Sequence, residues 1–170
     1  AYSLAQHLYA EGKRNVWYLA RKIDIYNYEE RRHGFAAFCA DHPDFSGQIL
    51  RLGNSVQEML EALKVQLQSK KPPQAILAES FHGTLAALQL KRSHELQDVV
   101  LAGIDEIPQY LRMEEPVLMA IMPHDLRAKW VIRLLDVKIA LGERDYGLQP
   151  KVFVPTLYSR GDKEKPASSL

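Results

Sequence analysis

The stretch PPQAILAESFHGTLAALQLK, Pro72 to Lys91, decides how this sequence folds. Two prolines end whatever precedes them, because Pro offers no backbone donor and clashes within a helix. Ala75–Ile76–Leu77–Ala78 is then a short apolar run without polar alternation, the pattern of a strand buried on both faces of a parallel sheet. Glu79–Ser80 makes a polar turn, and Phe81 to Lys91 carries helical periodicity. The same unit recurs on both sides. Asn15–Val16–Trp17–Tyr18–Leu19–Ala20 reads as a buried strand followed by a helix from Tyr28 to Ala40, with Phe35, Phe38 and Cys39 at helical spacing. Ile49 to Leu52 is a weaker strand closed by Gly53. Asn54 or Ser55 caps the next helix, where Glu58 stands in capping-box position and Val56, Met59, Leu60, Leu63 and Leu67 form the stripe. Upstream, Leu4, His7, Leu8 and Glu11 share one face of a first helix that Gly12 ends. Downstream, Val99 to Ile104 is another strand.

Beyond Asp105 the rhythm changes. Pro108 and Pro116 bracket an irregular or short helical stretch, and Val117 to Met122 fits a strand. Pro123 to Leu141 is a long helix with Leu126, Trp130, Leu134, Leu135 and Ile139 on its apolar stripe. Val152–Phe153–Val154 is expected as a last short strand. The predicted fold is α/β: a mostly parallel, Rossmann-like sheet of about six strands with helices on both faces. Residues 1–161 form one unit and 162–170 a flexible tail.

Composition narrows the function. The chain has 170 residues, 46% hydrophobic and 25% charged, with a formal net charge of +1. About 70% of the unfolded surface of such a chain can be buried, enough for a core without staples. Near-zero charge argues against nucleic-acid binding through the bulk surface. Apolar runs fall far short of the ~20 residues that span a bilayer. The opening residues resemble no secretion signal, and a lone Cys39 fits a reducing, cytoplasmic compartment. Six histidines never pair at metal spacing, and no glycine-rich phosphate loop is present, so neither metal nor cofactor is expected. The chain opens on Ala rather than Met, directly on helical periodicity, which points to a fragment.

Open parallel sheets bind ligands beyond the carboxyl ends of their strands. That rule selects Arg21, Lys22, Asn27, Tyr28 and Arg31 after the first strand. It selects Glu79 and Ser80 after the third, and Asp105 and Glu106 after the fourth. An Arg fork donates paired hydrogen bonds and carboxylates accept from vicinal hydroxyls, so the set suits a polyhydroxylated ligand. Solvated loop ends would show the same residues. Ser80, Asp105 and His124 also follow the hydrolase order of nucleophile, acid and base. Against that, His82 is bulky where an elbow needs Gly, and Ser80 is better placed to cap the helix that begins near Phe81. The pairs Arg31–Arg32 and Lys70–Lys71 read as solvated faces.

Several segments in order carry a family resemblance. They are Ala5 to Val16, Glu30–Arg31–Arg32–His33–Gly34–Phe35, Pro73 to Ala78, and V-V-L-A-G-I-D-E over Val99 to Glu106. Met122–Pro123–His124–Asp125–Leu126 and Pro155 to Gly161 complete them. Together they resemble the effector-binding region of the LacI/GalR transcriptional regulators, whose fold is like that of periplasmic sugar-binding proteins. The resemblance implies the second, C-terminal lobe of that region, without the helix-turn-helix, hinge helix and first lobe that members carry. It implies a non-enzymatic, homodimeric sensor of a sugar or related metabolite, with operator DNA bound only through the helix-turn-helix. A sugar-binding protein of a transport system is the alternative, and a small serine hydrolase a more distant one. By resemblance Arg31 grips effector hydroxyls or a carboxylate, and Asp105 accepts from a sugar. Glu79 stands where Asn is common, with Ser80 where Asp follows, and Met122 stands where Gln is frequent. An acceptor-only Glu79 disfavours a phosphate directly against it. The helix over 123–141 normally completes the first lobe, so Leu126, Trp130, Leu134 and Leu135 are expected to pack on this lobe or a second chain. With half a cleft, the chain is expected to hold effector weakly.

Overall fold

Parallel strands need long crossovers, and this chain supplies a helix for each of the first three. A computed structural model describes residues 1–105, 117–121, 124–141 and 156–158. The order is α1 (Tyr2–Ala10), β1 (Asn15–Arg21), α2 (Tyr26–Asp41), β2 (Ser46–Gly53), α3 (Val56–Ser69), β3 (Ala75–Ala78) and α4 (Phe81–Arg92). There follow β4 (Val100–Ile104), β5 (Val117–Ile121), α5 (His124–Leu141) and β6 (Thr156–Tyr158). The strands form one sheet in the order β2-β1-β3-β4-β5-β6. The first five run parallel and β6 pairs antiparallel with β5.

Strand alternation splits the core in two. Trp17, Leu19, Ile76, Ala78, Leu101 and Met119 face α3 and α4, packing with Met59, Leu63, Ala86, Leu88 and Leu90. Val16, Tyr18, Ala20, Leu77, Ala102 and Ile104 face α1 and α2, packing with Leu4, Leu8, Phe35 and Phe38. Each fully buried Leu or Phe contributes roughly 1.5–3 kcal/mol. Gly83 and Gly103 bring α4 close to the sheet: a Cβ on Gly103 would stand 2.5 Å from Thr84 Oγ1, and one on Gly83 3.1 Å from Ala78 Cβ.

The capping at α3 follows the sequence reading. Ser55 Oγ accepts from Glu58 N at 3.2 Å, and Glu58 Oε2 accepts from Asn54 N at 2.8 Å. Gly12 has φ +81, as a residue closing α1 should. One reading needs correction. Strand β2 starts at Ser46 rather than Ile49, because the backbone pairs with β1 from Asn15↔Ser46 onward through residues that face solvent and carry no apolar signal. On α5, Leu126 and Leu135 are 55% and 51% exposed, which leaves a second chain as the expected cover of those two residues. The expected strand over Val152–Val154, the 108–116 stretch, Met122 and the 162–170 tail lie outside the described residues.

Candidate functional site

The order β2-β1-β3-β4 places a topological switch point between β1 and β3, where crossovers leave in opposite directions and a crevice opens. Three chain segments meet there. At the end of β1 the register against β2 slips: Ala20 pairs with Arg51 but Arg21 with Gly53, so Leu52 is an extra residue. Such a bulge re-aims the strand's last side chain. Glu79 and Ser80 follow β3, and Asp105 follows β4. The first turns of α2 and α4 present their positive ends to the same rim.

Arg31, on the second turn of α2, holds these segments together. Its Nη1 donates to Asp105 Oδ2 at 2.8 Å and its Nη2 to Asp105 Oδ1 at 2.7 Å, a two-pronged pair; Nη1 also donates to the Glu79 carbonyl. Asp105 adopts φ +78, a left-handed conformation costing a non-glycine residue of order 1 kcal/mol or more. The bond to Arg31 helps to hold it there. Tyr28 joins through its ring, which lies 5.4 Å from the Arg21 guanidinium carbon and 5.5 Å from that of Arg31. Its hydroxyl accepts from Arg21 Nη1 at 3.0 Å. Asn27 is exposed in the first turn of α2 and takes part in none of these bonds.

Glu79 lies beneath them, fully buried. Its Oε1 accepts from the Arg21 backbone N–H, and its Oε2 lies 3.8 Å from Arg32 Nη1 without a hydrogen bond. Burial raises the Glu79 pKa above the ordinary value of 4.5, against the opposing pull of the Arg21 N–H, Arg32 and Arg31. Burial, then the Glu79 carboxylate, pushes the Tyr18 phenol far upward as well. Arg32 is no solvated residue, as its sequence pairing suggests. Its side chain is 12% exposed and also bonds Asp24 Oδ1 at 3.2 Å, which Arg51 shares at 2.6 Å.

Ser80 is the N-cap residue of α4, but its hydroxyl makes no cap bond, contrary to the role read from sequence. Its Oγ is buried and unpartnered, as are Tyr18 Oη, Arg21 Nε, Glu79 Oε2 and His82 Nδ1. Native interiors rarely leave polar atoms unpaired, and all of these belong to β1, the two residues after β3 and the start of α4. Among the described residues, the order Ser80, Asp105 gains no hydrolase geometry. Ser80 has a relaxed φ of −150 and ψ of 164, not a strained elbow, and both Asp105 oxygens are committed to Arg31. The His124 side chain lies outside the described residues. Among the described residues no group of three or more His, Cys, Asp or Glu could hold a metal, and no helix is long and apolar enough to cross a membrane.

Arg31, Glu79 and Asp105, selected by the strand-end rule, therefore meet at one rim with Ser80 and Tyr28. Sequence reading missed Tyr18, Arg32 and His82. Tyr18 was legible only as core, and strand alternation alone could have placed its hydroxyl on the Glu79 side.

No family model matches this sequence, and no curated protein does. Solved structures do match its fold. The transcriptional repressor AscG of Escherichia coli superposes with a TM-score of 0.75 at 16% identity, over 92% of this chain and 58% of that one. A sugar-binding LacI-family regulator from Escherichia coli, complexed with phosphate, gives 0.74 at 16%, covering 92% and 57%. A LacI-family regulator from Enterococcus faecium, with bound ribose, gives 0.72 at 15%, covering 85% and 55%. The fold is thus the LacI-type, periplasmic-binding-protein-like α/β fold. The chain spans a little over half the length of the regulators it matches.

Proposed function

We propose that this chain is the ligand-sensing and dimerisation portion of a LacI-type transcriptional regulator, working in the cytoplasm. Its effector is a small polyhydroxylated molecule, a sugar or sugar-derived metabolite. The observation that carries this reading is the convergence of Arg31, Glu79 and Asp105 at the switch point of a LacI-type sheet. Arg31 keeps N–H groups beyond those given to Asp105 and Glu79, and it can donate them to a ligand hydroxyl. Asp105 accepts from the neighbouring hydroxyl. Ser80, with an unpartnered oxygen, can do either.

In this reading the site senses its ligand rather than transforming it. An effector regulates DNA binding only through unequal affinity for two states of the molecule. Asp105, in a left-handed backbone conformation and bonded to Arg31 from another element, is suited to that role, because a ligand competing for Arg31 frees it. DNA contact belongs to a helix-turn-helix of the parent protein, and a homodimer matches the two half-sites of an operator. The LacI-type regulators solved with ribose and with phosphate support a small polar effector.

Titration of the isotopically labelled chain with millimolar ribose and hexoses, followed by amide chemical shifts, tests this reading. Residues 20–31, 79–84 and 103–105 are expected to shift. Arg31→Gln and Asp105→Asn should each weaken the response by about tenfold or more, since each removes charge-assisted hydrogen bonds. Unchanged affinity in both variants overturns the assignment.

A further inference from the structure

Charge is unevenly distributed at the rim. Among the described residues, four guanidinium groups, from Arg21, Arg31, Arg32 and Arg51, face three carboxylates, from Asp24, Glu79 and Asp105. Arg31 is matched by Asp105; Arg51 and Arg32 share Asp24, and Arg32 also neighbours Glu79. Among the described residues of the rim, the unmatched cation is Arg21. Its Nη1 donates to the Tyr28 hydroxyl at 3.0 Å and its Nη2 to the Asn54 carbonyl at 3.1 Å, both neutral acceptors. Of five guanidinium N–H donors, three are unused, and Nε is buried without any partner. A half-buried cation left without an anion is costly unless something else supplies the charge.

The adjoining groups share that deficit. Glu79 Oε1 accepts the Arg21 backbone N–H, and the Arg21 charge acts on His82 in the first turn of α4, so the start of α4 lies near Arg21. That helix of 12 residues begins without a side-chain acceptor, because the hydroxyl of Ser80, 1% exposed, makes no cap bond. His82 in its first turn has an unpartnered Nδ1. The positive end of α4, the Ser80 hydroxyl and the Arg21 guanidinium therefore hold neighbouring donor groups with no anion to accept from them among the described residues. The Glu79 carboxylate does not supply one: Oε1 is taken by the Arg21 backbone and Oε2 faces Arg32.

We propose that Arg21, with Ser80 and the first turn of α4, forms an oxyanion subsite of the cleft, so that the effector carries a phosphate or carboxylate group besides its hydroxyls. This inference takes its location from the effector-site reading above. Arg21 selects the charged member of a ligand class, and Arg31 with Asp105 recognises the hydroxyls.

The labelled chain is titrated at constant ionic strength with inorganic phosphate, glucose, glucose 6-phosphate and glucuronate, following the Arg21 Nε–H and the Ser80 and His82 amide resonances. Inorganic phosphate is expected to move all three. At least one of the two acidic sugars should bind about tenfold or more tighter than glucose, a ratio of the size that a charge-assisted bond confers. Which of them gains separates a phosphate subsite from a carboxylate subsite. Arg21→Gln should abolish that preference and Arg21→Lys retain part of it. Retained amide dispersion in both variants shows that they fold, and the wild-type Nε–H response stands without them. Glucose binding as tightly as both acids, with Arg21 unmoved by phosphate, overturns the subsite and leaves the sugar site standing. Phosphate moving Arg21 while no sugar binds supports the subsite and removes the sugar reading.

Discussion

Glu79 shows how one residue links the interior to the rim. Its folded-state pKa lies above the ordinary 4.5 because burial outweighs Arg21 N–H, Arg32 and Arg31. Between 4.5 and that raised value the folded state binds more protons than the unfolded state. Glu79 therefore lowers stability as pH rises through the window, and has no such effect below it. Glu79→Gln removes the titration and keeps an acceptor for the Arg21 N–H. Urea unfolding across acidic to neutral pH should show the stability advantage of wild type over this variant shrinking as pH rises. Parallel pH profiles would refute it. Much of this was legible in the sequence: the strand-end rule puts an acid at 79 beside a cation at 31. The burial of Arg32 was not, because it depends on Asp24 and on Glu79, which arrives from another crossover. The idle Ser80 hydroxyl was equally hidden, since a Ser before a helix reads the same whether or not it caps.

Strand and helix placement shows the same division. Strands β1, β3 and β4 were readable because burial on both faces makes them continuous apolar runs. The edge strand β2 was only half readable, since its first residues are exposed and held by backbone pairing alone. How near α4 comes to the sheet rests on single atoms. Gly103→Ala puts a methyl against Thr84 Oγ1 and Met119 Sδ, and overpacking of this kind costs about 1–3 kcal/mol. Denaturant melts should show that loss, and Thr84→Ala in the same chain should recover part of it. A neutral Gly103→Ala would mean that α4 moves freely, and with it the Ser80 end of the site.

For the molecule as a whole, four apolar side chains of α5 are left facing outward. Leu126, Val131, Ile132 and Leu135 are each 46% to 58% exposed, an apolar display that soluble monomers avoid. Sedimentation should find concentration-dependent self-association, and Leu126→Glu with Leu135→Glu should shift it to monomer. A monomeric wild-type chain at the highest soluble concentration would exclude a second copy as the cover. The sequence announced the stripe but not its partner, because periodicity says which face is apolar and nothing about what meets it. Strand β6 carries a separate consequence. It closes the sheet by lying antiparallel to β5, with Ile121 opposite Thr156, so the outermost ladder joins segments far apart in the chain. During synthesis, the ribosome must release Tyr158 before that border can form. A premature stop upstream of Thr156 would leave β5 as a bare margin inviting other nascent chains to pair with it.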